Sequence, residues 1–143
     1  MIKEIMNWEI CEKEHIKKIQ TDKEKIGSII KLTNARLKVI KQINKDDETA
    51  SIITADYYEV IKELLTALLL KHGFRSDNHE CLISFLKKYY KEYEYETNLI
   101  FELKNIRNRI NYDGIFVRKS YLIKNELEFN NIIEILKNLI NRE

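Results

Sequence analysis

The densest run of groups able to handle a phosphodiester lies in residues 101–120, FELKNIRNRINYDGIFVRKS, where Lys104, Arg107, Arg109, Arg118 and Lys119 face only Glu102 and Asp113 as acids. A guanidinium fork binds phosphate in bidentate fashion, and a neighbouring Asn carboxamide can orient a ribose or phosphate oxygen. Arg107, Asn108 and Tyr112 are the candidate reacting groups, with Lys104, Arg109 and Asn111 as candidate substrate contacts. At 100° per residue, Asn108 and Tyr112 share a helix face and Arg107 aligns with Asn111, whereas Arg107 and Tyr112 stand about 140° apart. The last two reach one site only where the helix breaks near Tyr112, and Asp113–Gly114 offers such a stop. A solvated basic helix end accounts for the same charges without any ligand.

Other chemistries find less material. His15, His72 and His79 form no constellation. His72 is placed at a helix end, where a cation suits the dipole, His79 in a first helical turn beside Glu80, and His15 among solvated charges. There is no H-E-x-x-H and no close Cys pair, so no metal is expected, and no cofactor. Gly27, Gly73 and Gly114 are isolated, which excludes a glycine-rich phosphate loop. Tyr57, Tyr58 and the KKYYKEYEYE run could stack on bases, but they equally fit the aromatic rim of a helical core. Cys11 and Cys81 lie far apart in sequence, outside any CxxC, and are expected to be reduced, buried thiols.

These groups must be positioned by helices. A chain of 143 residues suits one compact unit, and zero prolines and three glycines leave little with which to turn a many-stranded sheet. With 44% hydrophobic and 34% charged residues at a net charge of +2, it can bury a core and stay soluble. The expected fold is all-α, an up-and-down bundle of five to six helices on a four-helix core. Ile2, Ile5, Met6, Ile16 and Ile19 suggest a first helix from Ile2 to about Ile19, anchored by Trp8. A capping box at Thr21 and Glu24 opens a second helix ending near Asn44, and the polar NKDDETAS, residues 44–51, is the linker candidate. This divides the chain into an N-terminal helical hairpin, 1–46, packed on a core of residues 47–143.

From Thr54 to His72 the pattern is apolar around most of the helix circumference and marks the central helix, closed by Gly73. Asp77 and Glu80 cap a helix carrying Leu82, Phe85, Leu86 and Tyr89; another from about Thr97 buries Leu99, Leu103, Ile106 and Ile110. The last, about Ser120 to Asn141, turns Phe129, Ile132, Ile133, Leu136 and Ile140 inward. The longest apolar stretch, near Leu64–Leu70, falls short of the roughly 20 residues that span a bilayer. The opening MIKEIMNWEICEKE has no uninterrupted apolar run like that of a signal peptide, so a cytoplasmic protein is expected.

The buried DYYEVIKELLTALLLKHG helix, the SDNHECLISFL helix and IRNRINYDG before a closing helix together resemble a HEPN domain over roughly residues 52–141. The resemblance implies a helical bundle acting as a metal-independent ribonuclease, with Arg, a polar residue and a His four to six residues beyond the Arg, and two protomers pairing across a shared cleft. In such a site the 2′-hydroxyl attacks the adjacent phosphorus, Arg stabilises the phosphoryl charge and His moves protons. Arg107 and Asn108 match the Arg-Asn start, and Tyr112 stands where the His is expected. A phenol with an ordinary pKa near 10 is a poor general base at neutral pH. The resemblance therefore implies either an RNA-cleaving toxin or defence component of a toxin–antitoxin pair, or a noncatalytic dimerising or partner-binding module. In both the partner implied is a small nucleotidyltransferase, which in some systems adenylylates a tyrosine near the motif; here that tyrosine is Tyr112.

Overall fold

The computed structural model describes residues 4–142. The fold is an all-α helical bundle: α1 (Trp8–Glu14), α2 (Lys23–Gln42), α3 (Ala50–Lys71), α4 (His79–Tyr89), α5 (Glu94–Asp113) and α6 (Lys119–Asn141), with one 3-10 turn over Lys91–Tyr93. Two short strands, β1 (Lys17–Lys18) and β2 (Phe74–Arg75), pair antiparallel with Lys17 opposite Arg75. Helix α3 is the hub, packed against α2, α4, α5 and α6. Its sequence explains that position: apolar residues recur so closely that Ile53, Tyr57, Val60, Ile61, Leu64, Leu65, Leu68 and Leu69 are all buried, on more than one face. Facing them are Phe85 of α4, Ile100 and Leu103 of α5, and Phe129, Ile132, Ile133, Leu136 and Ile140 of α6.

Several boundaries differ from the sequence reading for definable reasons. The first helix is seven residues long, because residues 17–18 leave it to pair with the segment after α3; Ile19 N–H donates to the Gly73 carbonyl at 2.8 Å. Ile2, assigned to that helix, lies outside the described residues. Trp8 does anchor α1, with its ring against Phe74, Phe85 and Tyr89. Helix α2 is capped by Asp22, whose Oδ1 accepts from the Lys25 N–H, rather than by Thr21, and α4 by Asn78 rather than Asp77. Helix α3 starts at Ala50, four residues before the expected Thr54, because the polar segment ahead of it folds into a tight turn. There Asp46 Oδ1 accepts from the Glu48 and Thr49 N–H groups, and the Thr49 hydroxyl donates to the Asn44 carbonyl.

The cysteines correct the sequence reading. Both are fully buried as expected, but Cys11 and Cys81 are joined in a disulfide that ties α1 to the start of α4. Sequence distance is no guide here: the two side chains, 70 positions apart, meet because Trp8 docks α1 against the aromatic face of α4. Among the described residues no helix is long and apolar enough to cross a membrane.

Candidate functional site

Arg107 sits in the second turn from the end of α5, and Ile110 and Asn111 follow at i+3 and i+4 on the same face. Across from them, α3 presents Ser51, Ile52, Ala55, Asp56 and Glu59 at matching helical spacing. The two faces enclose a groove of 340 Å³. The segment between α5 and α6 is tied to the residues at and just before the start of α3. The Val117 N–H donates to Ser51 Oγ at 2.8 Å, and the Lys119 N–H to Asp47 Oδ1 at 2.9 Å. An adjoining hollow of 620 Å³ continues along Ile52, Ile110 and Phe116, and Phe116 is 73% exposed.

The guanidinium is partly buried, its side chain 18% exposed, and lightly held. Arg107 Nη2 lies 3.7 Å from Glu59 Oε2, too far for a hydrogen bond, and Nη1 donates to Asn108 Oδ1 at a long 3.4 Å. Its carbon stands 5.7 Å from the centre of the Tyr58 ring, within cation–π range. With five N–H donors, a guanidinium in this setting keeps most of its capacity for an incoming oxyanion.

Two carboxyls in the groove are tuned in opposite directions. Burial opposes ionisation of Glu59, but the hydrogen bond and charge of Lys62, with Arg107 and Arg36 behind them, outweigh it and hold the carboxyl below its usual range. Asp56, one turn away, is pushed above its usual value by burial, with Arg36 opposing and Glu59 adding to the shift. His79 also stands by Tyr58, its ring centre 6.3 Å from that of the tyrosine. Burial lowers the His79 pKa, and Lys62 and Arg107 lower it further, so the ring is neutral near pH 7.

The other residues read from sequence disperse. Lys104 is 5% exposed and bonds Glu80 Oε1 at 3.1 Å, so it braces α5 against α4 instead of facing a substrate. Arg109 is exposed on a different face. Helix α5 runs unbroken to Asp113 and stops at Gly114, φ 64°, so the anticipated break comes after Tyr112 and not at it. Tyr112 is 77% exposed and lies outside the groove; within one chain it does not converge with Arg107. Asn108 reaches Arg107, and Asn111 lines the groove beside it. His72 also departs from the expected cationic cap: burial and Lys71 lower its pKa, and its Nε2 shares a 2.8 Å hydrogen bond with the Tyr90 hydroxyl.

Asp56 and Glu59 are the neighbours that sequence reasoning missed, while Tyr58 and His79 are weighed there but not placed beside Arg107. A signal for the two carboxyls was present. Asp56, Glu59, Lys62 and Thr66 recur every three to four residues along the most apolar helix of the chain, a polar stripe that a wholly buried helix would lack. No protein-family model matches this chain, and no curated protein is similar to it.

Proposed function

We propose that this chain is an RNA-directed protein of HEPN type, a metal-independent endoribonuclease serving as a toxin or defence component, with the groove around Arg107 as its site. The observation that carries the reading is Arg107 itself: a largely sheltered guanidinium on a groove wall, beside Asn111, held only by a 3.7 Å ion pair to Glu59 and a long bond to Asn108. Such a group can hold a backbone phosphate and stabilise the charge that grows on its oxygens as a 2′-oxygen attacks. Pairing of two copies across this face is part of the proposal, supported by the exposed Ile52 and Phe116 that continue the groove. The proposed compartment is the cytoplasm, where the disulfide would have to withstand thiol reductants.

The test is incubation of chelator-treated wild type and Arg107→Ala with a mixed RNA pool. Cleavage leaving 2′,3′-cyclic phosphate and 5′-hydroxyl ends, reduced about 100-fold or more by Arg107→Ala, is the expected result. Strong cleavage that survives Arg107→Ala overturns the assignment of the site. The exposure of Tyr112 favours a second reading, a noncatalytic module whose phenol is open to adenylylation by a partner nucleotidyltransferase. An intact dimer without cleavage shifts the assignment to that module.

A further inference from the structure

We propose that Asp56 is the proton-transfer group of the Arg107 groove, accepting the 2′-hydroxyl proton of an RNA strand whose phosphate Arg107 holds. This rests on the ribonuclease reading above and supplies what that reading lacks, since Tyr112 lies outside the groove and no histidine lines it. Asp56 and Arg107 stand on facing helices of one groove, the arrangement in which a bound phosphodiester presents its oxygens to a cation and its neighbouring hydroxyl to a base.

The second carboxyl of the groove, Glu59, is committed elsewhere. It is bonded to Lys62 and forms a 3.7 Å ion pair with the Arg107 guanidinium, so its charge is already shared between two cations. Asp56 has no such tie: among the described residues its side chain makes no hydrogen bond and no ion pair. The charged groups bearing on it are Arg36 from α2 and Glu59 from its own helix, and Arg107 stands on the facing wall of the same groove. From α6 the titratable group facing this part of α3 is Glu126, bonded to the Tyr57 hydroxyl, and from α4 it is His79, beside Tyr58; both are engaged with the tyrosines that follow Asp56 on its own helix. Paired carboxyls whose surroundings drive them in opposite directions are the usual mark of divided labour, one fixed anion and one proton carrier.

The step balances without a cofactor. The 2′-oxygen bonds to phosphorus as its proton passes to an Asp56 oxygen. The P–O5′ bond breaks, and its electron pair leaves on the 5′-oxygen, which takes a proton from water. The hydroxide left behind takes the proton from Asp56, restoring the carboxylate.

The experiment compares wild type, Asp56→Asn and Arg107→Ala, each checked for native helicity by circular dichroism. It measures cleavage of a single-stranded RNA in chelator and binding of the same sequence with 2′-deoxy sugars, which cannot be cleaved. Asp56→Asn is expected to bind the deoxy strand within threefold of wild type, to cleave RNA at least 100-fold more slowly, and to lose the fall in rate that wild type shows at acid pH. Arg107→Ala is expected to lose binding as well. If wild type cleaves and Asp56→Asn retains its rate within threefold, Asp56 is not the proton carrier while the Arg107 site stands. If wild type binds through Arg107 but does not cleave, the binding-module reading stands and the role of Asp56 falls. Absence of both binding and cleavage in wild type overturns the site and Asp56 together.

Discussion

His72 and His79 give the folded chain a defined response to acid. Burial, and then neighbouring cations, lower both pKa values below the ordinary 6.5. Between each folded value and 6.5 the unfolded chain therefore binds more protons than the folded one. Stability is complete above pH 6.5, falls as the pH drops through that window and levels off below it. Urea midpoints measured from pH 7.5 to 5 are expected to decline, and His79→Gln to flatten part of that decline. An unchanged slope in His79→Gln would show that the ring beside Tyr58 is not held neutral. The same local detail separates the site residues into those that sequence could supply and those it could not. Arg107 and Asn111 were readable because their spacing puts them on one helix face. Glu59, Asp56 and His79 come from other helices, and only tertiary packing brings them beside Arg107.

At the level of helices and turns, two glycines in left-handed backbone make a matched comparison. A Cβ at Gly114, φ 64°, would meet nothing within 4 Å, whereas at Gly73, φ 81°, it would lie 3.2 Å from the Ile19 carbonyl oxygen. Gly114→Ala is expected to cost about 1 kcal/mol of backbone strain, a fall of roughly 3 °C in Tm. Gly73→Ala should cost about 2 kcal/mol or more, because it also presses on the strand pair that the Ile19–Gly73 hydrogen bond closes. Equal Tm values for the two variants would contradict this. The helical periodicity of α3 and α6 and the Asp113–Gly114 stop were legible in the sequence because burial and left-handed geometry leave strong local marks. The caps were misplaced by one residue at Thr21–Asp22 and Asp77–Asn78 because each pair offers two adjacent oxygens able to accept from the next turn. The end of α1 was missed because Lys17–Lys18 fold as a strand only in the presence of Phe74–Arg75, and no local pattern announces a partner so far along the chain.

For the molecule as a whole, the Cys11–Cys81 bond carries a large share of the stability. Closing a loop of this length removes about 4 kcal/mol of unfolded-chain entropy, against a total of roughly 5–15 kcal/mol for an ordinary domain. The chain has a single tryptophan, and it packs in α1 three residues from Cys11, so fluorescence reports on this element. In the oxidised protein, Trp8 emission and helical circular dichroism are expected to change together in urea. In Cys11→Ser the Trp8 transition should move to lower urea, ahead of the helical signal; coincident transitions in that variant would mean that α1 stays docked without the bond. The bond also partitions the polypeptide. Residues 11–81 form a covalent ring that holds α2 and α3, while α5 and α6 hang from it as an open tail. A single protease nick inside the ring, such as one in the 44–49 turn, leaves every helix on one molecule. A nick between α4 and α5 instead sheds the tail, and with it the Arg107 wall of a groove whose Asp56 wall stays in the ring.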